Sequence, residues 1–342
     1  MSESCCAIDV HTHVVPSSLP EPLADFSDIP WPAIRHTKPC HAEVIIQGRN
    51  YRSIEDGCWH VPRRVEQMTR MDIGIQVLSP MPELLSYWLP PKPAQLLARH
   101  INETIADMVR AEPARFYGLG MIPLQDIDLA VNELEYLMRQ LALRGVEIAT
   151  NVNGVPLGHP SLDPFFAAAE SLGATIFVHP LRPVGLDRLV GPASLEQVVA
   201  FPCETALCIA SVITGGLLNR YPRLRLGFSH GGGSFGQVLS RMQHAWSLMT
   251  PIRGAFDEPR VAARRLFYDT LVYDQTTLKF LIDSFGLNQL MVGTDYPFAI
   301  MDMIPTKRIA KLALSETETA QLLYGNARRF LGLSSGDGAM CA

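Results

Sequence analysis

Asp9-Val10-His11-Thr12-His13 follows the apolar run Cys6-Ala7-Ile8 near the start of a 342-residue chain. Side chains alternate along a strand, so His11 and His13 project to one face. Two imidazoles with a single residue between them can meet one metal ion, a common task for neutral histidine. Taken alone, such a pair is more often two unrelated histidines at a strand end. The rest of the chain decides between the two readings.

Directly after His13 comes a stretch punctuated by Pro16, Pro20, Pro22, Pro30, Pro32 and Pro39, too irregular for a helix. Within it, His41 to Ile54 reads as a β-hairpin turning at Gly48. Residues 14–62 therefore form an insertion after the first strand, a lid of the kind that covers the C-terminal mouth of a parallel barrel. Beyond it the periodicity becomes regular. Val65, Met68 and Met71 predict a helix ended by Gly74, followed by a strand over Ile75 to Leu78. A helix over 94–111 precedes a strand at Phe116 to Met121, and one over 128–143 precedes Val146 to Ile148. Ser161 and Gly173 bracket the next helix, before a strand at Thr175 to Val178. Helices over 203–219, 234–248 and 275–285 alternate with strands at Leu224 to Phe228, Phe267 to Asp269 and Gln289 to Val292. Ser315 and Glu318 form a capping box that opens the last helix. Counted from Ala7 to Val10, eight strands alternate with helices. The expected fold is α/β, a parallel (β/α)8 TIM barrel over residues 1–342 as one domain, with a small β-hairpin insertion after strand one.

Composition narrows the partners. The formal net charge is -5, the isoelectric point is near 6.1, and 47% of residues are hydrophobic. That is enough apolar material for a large core, and no run of Lys or Arg suggests a nucleic-acid surface. No basic segment followed by an apolar one marks a signal peptide, and no apolar run is read as long enough to span a membrane. The cysteines are Cys5, Cys6, Cys40, Cys58, Cys203, Cys208 and Cys341, an odd number without a C-x-x-C. They read as reduced thiols of a cytoplasmic protein.

Catalytic groups of such barrels gather just past the C-terminal ends of the strands. His11 and His13 follow strand one. His179 follows strand five in Phe177-Val178-His179-Pro180, and His230 follows strand six in Phe228-Ser229-His230-Gly231. Asp295 follows strand eight in Val292-Gly293-Thr294-Asp295. One strand-end histidine among the chain's 10 means little. Four of them with an aspartate are hard to obtain by accident. Phe298, three positions past Asp295, is a candidate pocket wall. Gly231 to Gly233 lacks the spacing and lysine of a phosphate loop, and reads as permitting close backbone approach.

These residues resemble the signature of the amidohydrolase superfamily. The resemblance narrows to its decarboxylase branch, and within it to the carboxymuconate-semialdehyde decarboxylases. It rests on Asp9 to His13, Tyr51-Arg52 before Cys58-Trp59, Gln76 to Ser79 and Ser86-Tyr87-Trp88. Phe177 to Pro180, His230 to Gly233 with Phe235, and Gly293 to Phe298 complete it. Many binuclear members bridge two metals with a lysine after strand four, but no lysine occurs between Lys92 and Lys279 here; strand four offers Glu147. A single metal is therefore expected. The resemblance implies His11, His13, His179 and Asp295 as its ligands, three nitrogens and one oxygen. That set suits Zn²⁺, with Mn²⁺ as the alternative. His230 would then stand beside the metal as the base, and Asp295 would shuttle a proton as well as ligate.

The resemblance also implies two arginines that hold the substrate carboxylate. They fall on Arg52 in the hairpin and Arg241 in the helix after strand six, the second reaching across a homodimer interface. A guanidinium suits this role because it grips a carboxylate through two parallel hydrogen bonds. An exposed hairpin arginine and a helix arginine are otherwise usually just solvated. This chain departs from the family at Ile46 and Leu181, where lysine and tryptophan are expected, and across Leu189 to Leu195. The pocket wall differs accordingly. The function expected is metal-dependent, non-oxidative decarboxylation of a carboxylated muconate semialdehyde or a related unsaturated or aromatic acid, without organic cofactor. A hydrolase or hydratase acting on a lactone, amide or unsaturated acid fits the same ligands. A catalytically silent metal scaffold leaves His230 and the arginines without a purpose.

Overall fold

The computed structural model describes residues 7–334. Its centre is a ring of eight parallel strands. Ala7–Val14 pairs with Ile73–Pro80, which pairs with Phe116–Gly118. A second run of pairings links Gly145–Ala149, Thr175–His179, Arg225–Phe228, Phe267–Asp269 and Leu290–Met291. Backbone bonds close the ring at both seams. Val10 N–H donates to the Val292 carbonyl at 2.8 Å and Asp295 N–H to that of His11 at 2.9 Å. At the other seam, Gly120 and Glu147 donate to the carbonyls of Gly145 and Gly120. The order around the ring follows the chain, and the expected TIM barrel is the fold.

Strands buried on both faces read as near-continuous apolar runs. Ile8, Val10, Ile75, Val77, Leu119, Phe177, Phe267 and Met291 fill the lower barrel, where Phe330 and Leu331 of the helix Asn326–Leu331 close the base. A second apolar layer packs the outer helices against the strands. In the first strand the register slips between Asp9 and Thr12. Such a bulge inserts one residue and reverses the alternation. Ile8 and Val10 below it, and His11 and His13 above it, therefore all face the barrel interior.

Several local expectations need correction. The insertion is a three-stranded antiparallel sheet, not a hairpin, because Ala33–Lys38 adds to His41–Ile46 and Arg49–Glu55. The helix Val61–Arg70 ends before Gly74, which already lies in the second barrel strand. His159, not Ser161, accepts at the turn that leads into Asp163–Leu172, while Gly173 caps that helix at a φ of 65°. The segment Glu196–Thr214, 19 residues with mean hydropathy 1.5, is long and apolar enough by those measures to cross a membrane. It packs instead as an outer helix of the barrel, burying Phe201, Ile209, Val212 and Ile213. The capping box of Ser315 and Glu318 forms as expected. Cys40, Cys58, Cys203 and Cys208 are free thiols, and Cys5, Cys6 and Cys341 lie outside the described residues.

Candidate active site

Above the apolar floor, the ends of three strands bring His11, His13, His179 and Asp295 together. Their potential ligand atoms all lie within 4.8 Å of one another, and all four residues are buried. His11 Nε2 stands 3.1 Å from His13 Nε2, and Asp295 Oδ1 is 3.0 Å from His13 Nε2 and 3.6 Å from His11 Nε2.

The far side of each imidazole is fixed. His11 Nδ1 bonds Asp269 Oδ2 at 2.7 Å, His13 Nδ1 the Pro80 carbonyl at 3.0 Å, and His179 Nδ1 the Pro180 carbonyl at 2.9 Å. A ring that donates through Nδ1 presents a lone pair at Nε2. Three lone pairs and a carboxylate thus converge in a buried space, which is unfavourable unless a cation takes them. The donor set and its orienting partners fit a divalent ion, and the chain has a metal-binding site.

The charges in this cluster follow from burial and proximity. Burial works against a charged His11, yet the Asp269 hydrogen bond and the Asp295 and Glu147 carboxylates hold its pKa up at about 9. Burial lowers the pKa of His13 and lowers that of His179 still further. Burial also opposes ionisation of Asp295, but His13 and the neighbouring imidazoles keep its carboxyl well below the usual range. A metal ion displaces the proton that His11 would otherwise hold, so binding and proton release are coupled.

The strand-four position is occupied by Glu147, whose Oε2 accepts from the Ser79 hydroxyl at 2.6 Å. Burial pushes its carboxyl up to about 8. Arg64 is buried beneath the first strand. It donates to Thr12 Oγ1 at 3.3 Å and Gln76 Oε1 at 3.2 Å, and also to the His13 carbonyl. Its guanidinium also lies 4.7 Å from the Tyr296 ring centre, and its bond to the His13 carbonyl holds the backbone that carries that histidine.

Through His179 and Asp295 the cluster borders a cavity of about 340 Å³. Arg52, Glu83, His179, His230, Asp295 and Phe298 are among its walls. His230 has a φ of 55°, in the left-handed region. Its Nδ1 is 3.1 Å from the Ser229 hydroxyl, which leaves Nε2 for a reactant. Burial, then the nearby His11 ring, lowers its pKa to about 4. The insertion sheet brings Arg52 over the mouth, where its guanidinium lies 3.8 Å from the Phe298 ring centre. Phe298 itself stacks on His13, the rings 5.1 Å apart and 18° from parallel.

Seven of the eight residues singled out in the sequence therefore meet at one place: His11, His13, His179, His230, Asp295, Arg52 and Phe298. Arg241 does not line that cavity. It is exposed on the outer helix Phe235–Leu248.

The sequence reading missed Asp269. Its Oδ2 takes His11 Nδ1–H and the His230 N–H at 3.0 Å, while Oδ1 takes the N–H groups of Gly231 at 2.8 Å and Leu271 at 3.1 Å. Its place at the end of the seventh strand was a usable signal, since the same rule identified the other strand-end groups. Glu83 was also missed, and its loop neighbours Leu84 and Leu85 are apolar.

The amidohydrolase family profile matches residues 8–333. The 2-amino-3-carboxymuconate-6-semialdehyde decarboxylase of Dictyostelium discoideum is 38% identical over 329 residues, covering 95% of this chain and 91% of that protein. The fold is similar to that of the apo IDCase of Metarhizium anisopliae, with a TM-score of 0.79, 22% identity, and 97% and 98% of the two chains covered. It is also similar to the dihydroxybenzoic acid decarboxylase of Polaromonas sp. JS666 with bound manganese and 2-nitroresorcinol. There the TM-score is 0.72 and the identity 22%, covering 96% and 97% of the two chains. With the barrel matched from end to end and a relative this similar over nearly its whole length, the chain belongs to the amidohydrolase superfamily, in its decarboxylase branch.

Proposed function

We propose that this metal-dependent carboxy-lyase removes CO2, without oxidation, from a carboxylated muconate semialdehyde of the 2-amino-3-carboxymuconate 6-semialdehyde type. The observation that carries the reading is the cavity that holds Arg52 beside His230 and the metal-ligand cluster. The 38% identity to the Dictyostelium decarboxylase supports the substrate class. His11, His13, His179 and Asp295 would hold the metal. We assign Zn²⁺ from the nitrogen-rich ligand set, with Mn²⁺, the ion of the Polaromonas enzyme, as its competitor. When bound, the metal supplies Lewis-acid stabilisation of developing negative charge.

The side chains account for the remaining steps. Arg52 grips a substrate carboxylate, and Phe298 holds the guanidinium in place from one face. His230 takes a proton from water at Nε2 and delivers it to the carbon that bears the departing carboxylate, and the hydroxide left behind is neutralised by the released CO2 as bicarbonate. That carbon loses its conjugation. The carbon–carboxylate bond then breaks, its electron pair returns to the unsaturated system, and CO2 leaves with a hydrogen in its place. Incubating the metal-loaded protein with the semialdehyde and measuring CO2 tests the reading. Ring opening or water addition without CO2 would overturn it in favour of a hydrolase or hydratase.

Arg52→Ala should raise KM roughly ten- to hundredfold, because a hydrogen bond to a charged group contributes about 1.5–3 kcal/mol. Arg52→Lys should recover only part of that, since a point charge does not reproduce the two-pronged contact. Steady-state kinetics with an unchanged KM in both variants would place Arg52 outside the substrate site.

Arg241 enters the proposal through assembly. It lies eleven residues past His230, about three turns along the outer helix. Exposed there, it can serve a cavity only by reaching into a neighbour, and a two-fold homodimer would exchange the two arginines symmetrically. Inactive Arg241→Ala and His230→Ala chains, dissociated and reassociated together, should then regain activity. One intact site per mixed dimer gives up to about a quarter of full activity when half the dimers are mixed. Mixed dimers confirmed by mass, yet no more active than the separate variants, would exclude a shared site.

A further inference from the structure

One wall of the cavity carries a carboxylate that the proposed chemistry leaves unused. Glu83 stands on the helical turn Pro82–Leu85, just after the second barrel strand. It is only 5% exposed, yet it lines the cavity with Arg52, His230 and Asp295. Its Oε1 accepts from the Tyr51 hydroxyl, and the Tyr51 oxygen accepts from Gln197 Nε2 at 3.2 Å. Both donors run toward the carboxylate, which makes Glu83 the final acceptor of the chain. Such a sequence of donors supports the anion. Burial pushes the Glu83 carboxyl up, while the Arg52 charge and the Tyr51 hydrogen bond pull it back toward ionisation.

Oε2 has no hydrogen-bond partner within the protein, although it is buried. A buried carboxylate oxygen is normally paired, so an orphan one in a cavity wall points to a donor brought by a ligand. The surroundings are built to hold it in place. The register of the insertion sheet slips between Val44, opposite Arg52, and Ile45, opposite Asn50, leaving Tyr51 as the extra residue of a bulge. A bulge re-aims side chains. It lets consecutive residues serve one site: Arg52 on the cavity wall and Tyr51 on the carboxylate beside it.

We propose that Glu83 is a specificity-determining residue whose Oε2 accepts a hydrogen bond from an amino or hydroxyl group of the substrate. The cavity then selects unsaturated or aromatic carboxylates that also carry an N–H or O–H donor. Arg52 takes the carboxylate and Glu83 takes the donor. A ligand with no donor leaves Oε2 unpaired, and one with a carboxylate there meets like charge. This inference rests on reading the cavity as the substrate site, and it deepens that reading by naming the second group recognised.

Binding can be tested without turnover. Calorimetry on the metal-loaded protein would compare benzoate with 2-aminobenzoate and 3-aminobenzoate, which differ only by the donor. The wild-type protein should bind the better amino isomer at least tenfold more tightly than benzoate. Glu83→Leu should abolish that preference while leaving benzoate affinity unchanged or improved. Glu83→Gln, which keeps the shape and an acceptor for Tyr51, should retain part of it and serves if the leucine variant does not fold. A wild-type protein without the preference would overturn the proposal. So would a preference that persists undiminished in both variants, or an equal weakening of all three ligands. A protein that shows the Glu83-dependent preference and yet releases no CO2 from the semialdehyde would sink the proposed reaction alone.

Discussion

His179→Ala is expected to leave the protein without its metal. The remaining ligands would be two imidazoles of one strand and a carboxylate, which hold the ion from fewer directions. Loss of a group that merely orients a ligand typically costs about 10–100-fold in affinity or activity, and loss of the ligand itself should exceed that. The barrel should survive, because His179 sits above the apolar floor rather than within it. Elemental analysis after dialysis against a weak chelator, together with the circular dichroism spectrum, separates loss of metal from loss of fold. Metal retained at the wild-type ratio would remove His179 from the ligand set.

His230→Ala should do the reverse, keeping the ion and losing turnover. His230 lines the cavity, its ring centre 5.0 Å from that of His179, but it does not belong to the cluster of four converging groups. A positioned acid or base contributes about 10²–10⁴-fold to rate, so kcat should fall by that order with little change in KM. Equal metal loss in the His179 and His230 variants would overturn the division between ligand and proton carrier.

The barrel was legible because its strands are buried on both sides, which leaves short apolar runs such as Ile75 to Leu78 and Thr175 to Val178 standing out between helices. His179, His230 and Asp295 were legible for a related reason: a polar residue at the end of such a run is conspicuous. Ala33–Lys38 was not, since its residues are mostly exposed and it sits between prolines that blur any alternation. Nor was the slip in the first strand. Simple alternation correctly places His11 and His13 on a common face, but it does not show that Ile8 and Val10 share that face through an inserted residue. Glu83 escaped notice because its role depends on Tyr51, 32 positions away, and on a bulge that only pairing reveals. Asp269 was within reach, passed over as the last residue of a strand.

That aspartate ties two functions to one anchor. The same carboxylate steadies the ring of His11 and the backbone of His230 and Gly231. Any shift of His11 toward a larger or smaller ion would be transmitted, through a shared oxygen, to the backbone of His230. Swapping the ion is therefore not a neutral exchange of charge. The ring that faces the ion and the backbone of His230 hang on the same carboxylate oxygen, so the two positions are mechanically coupled.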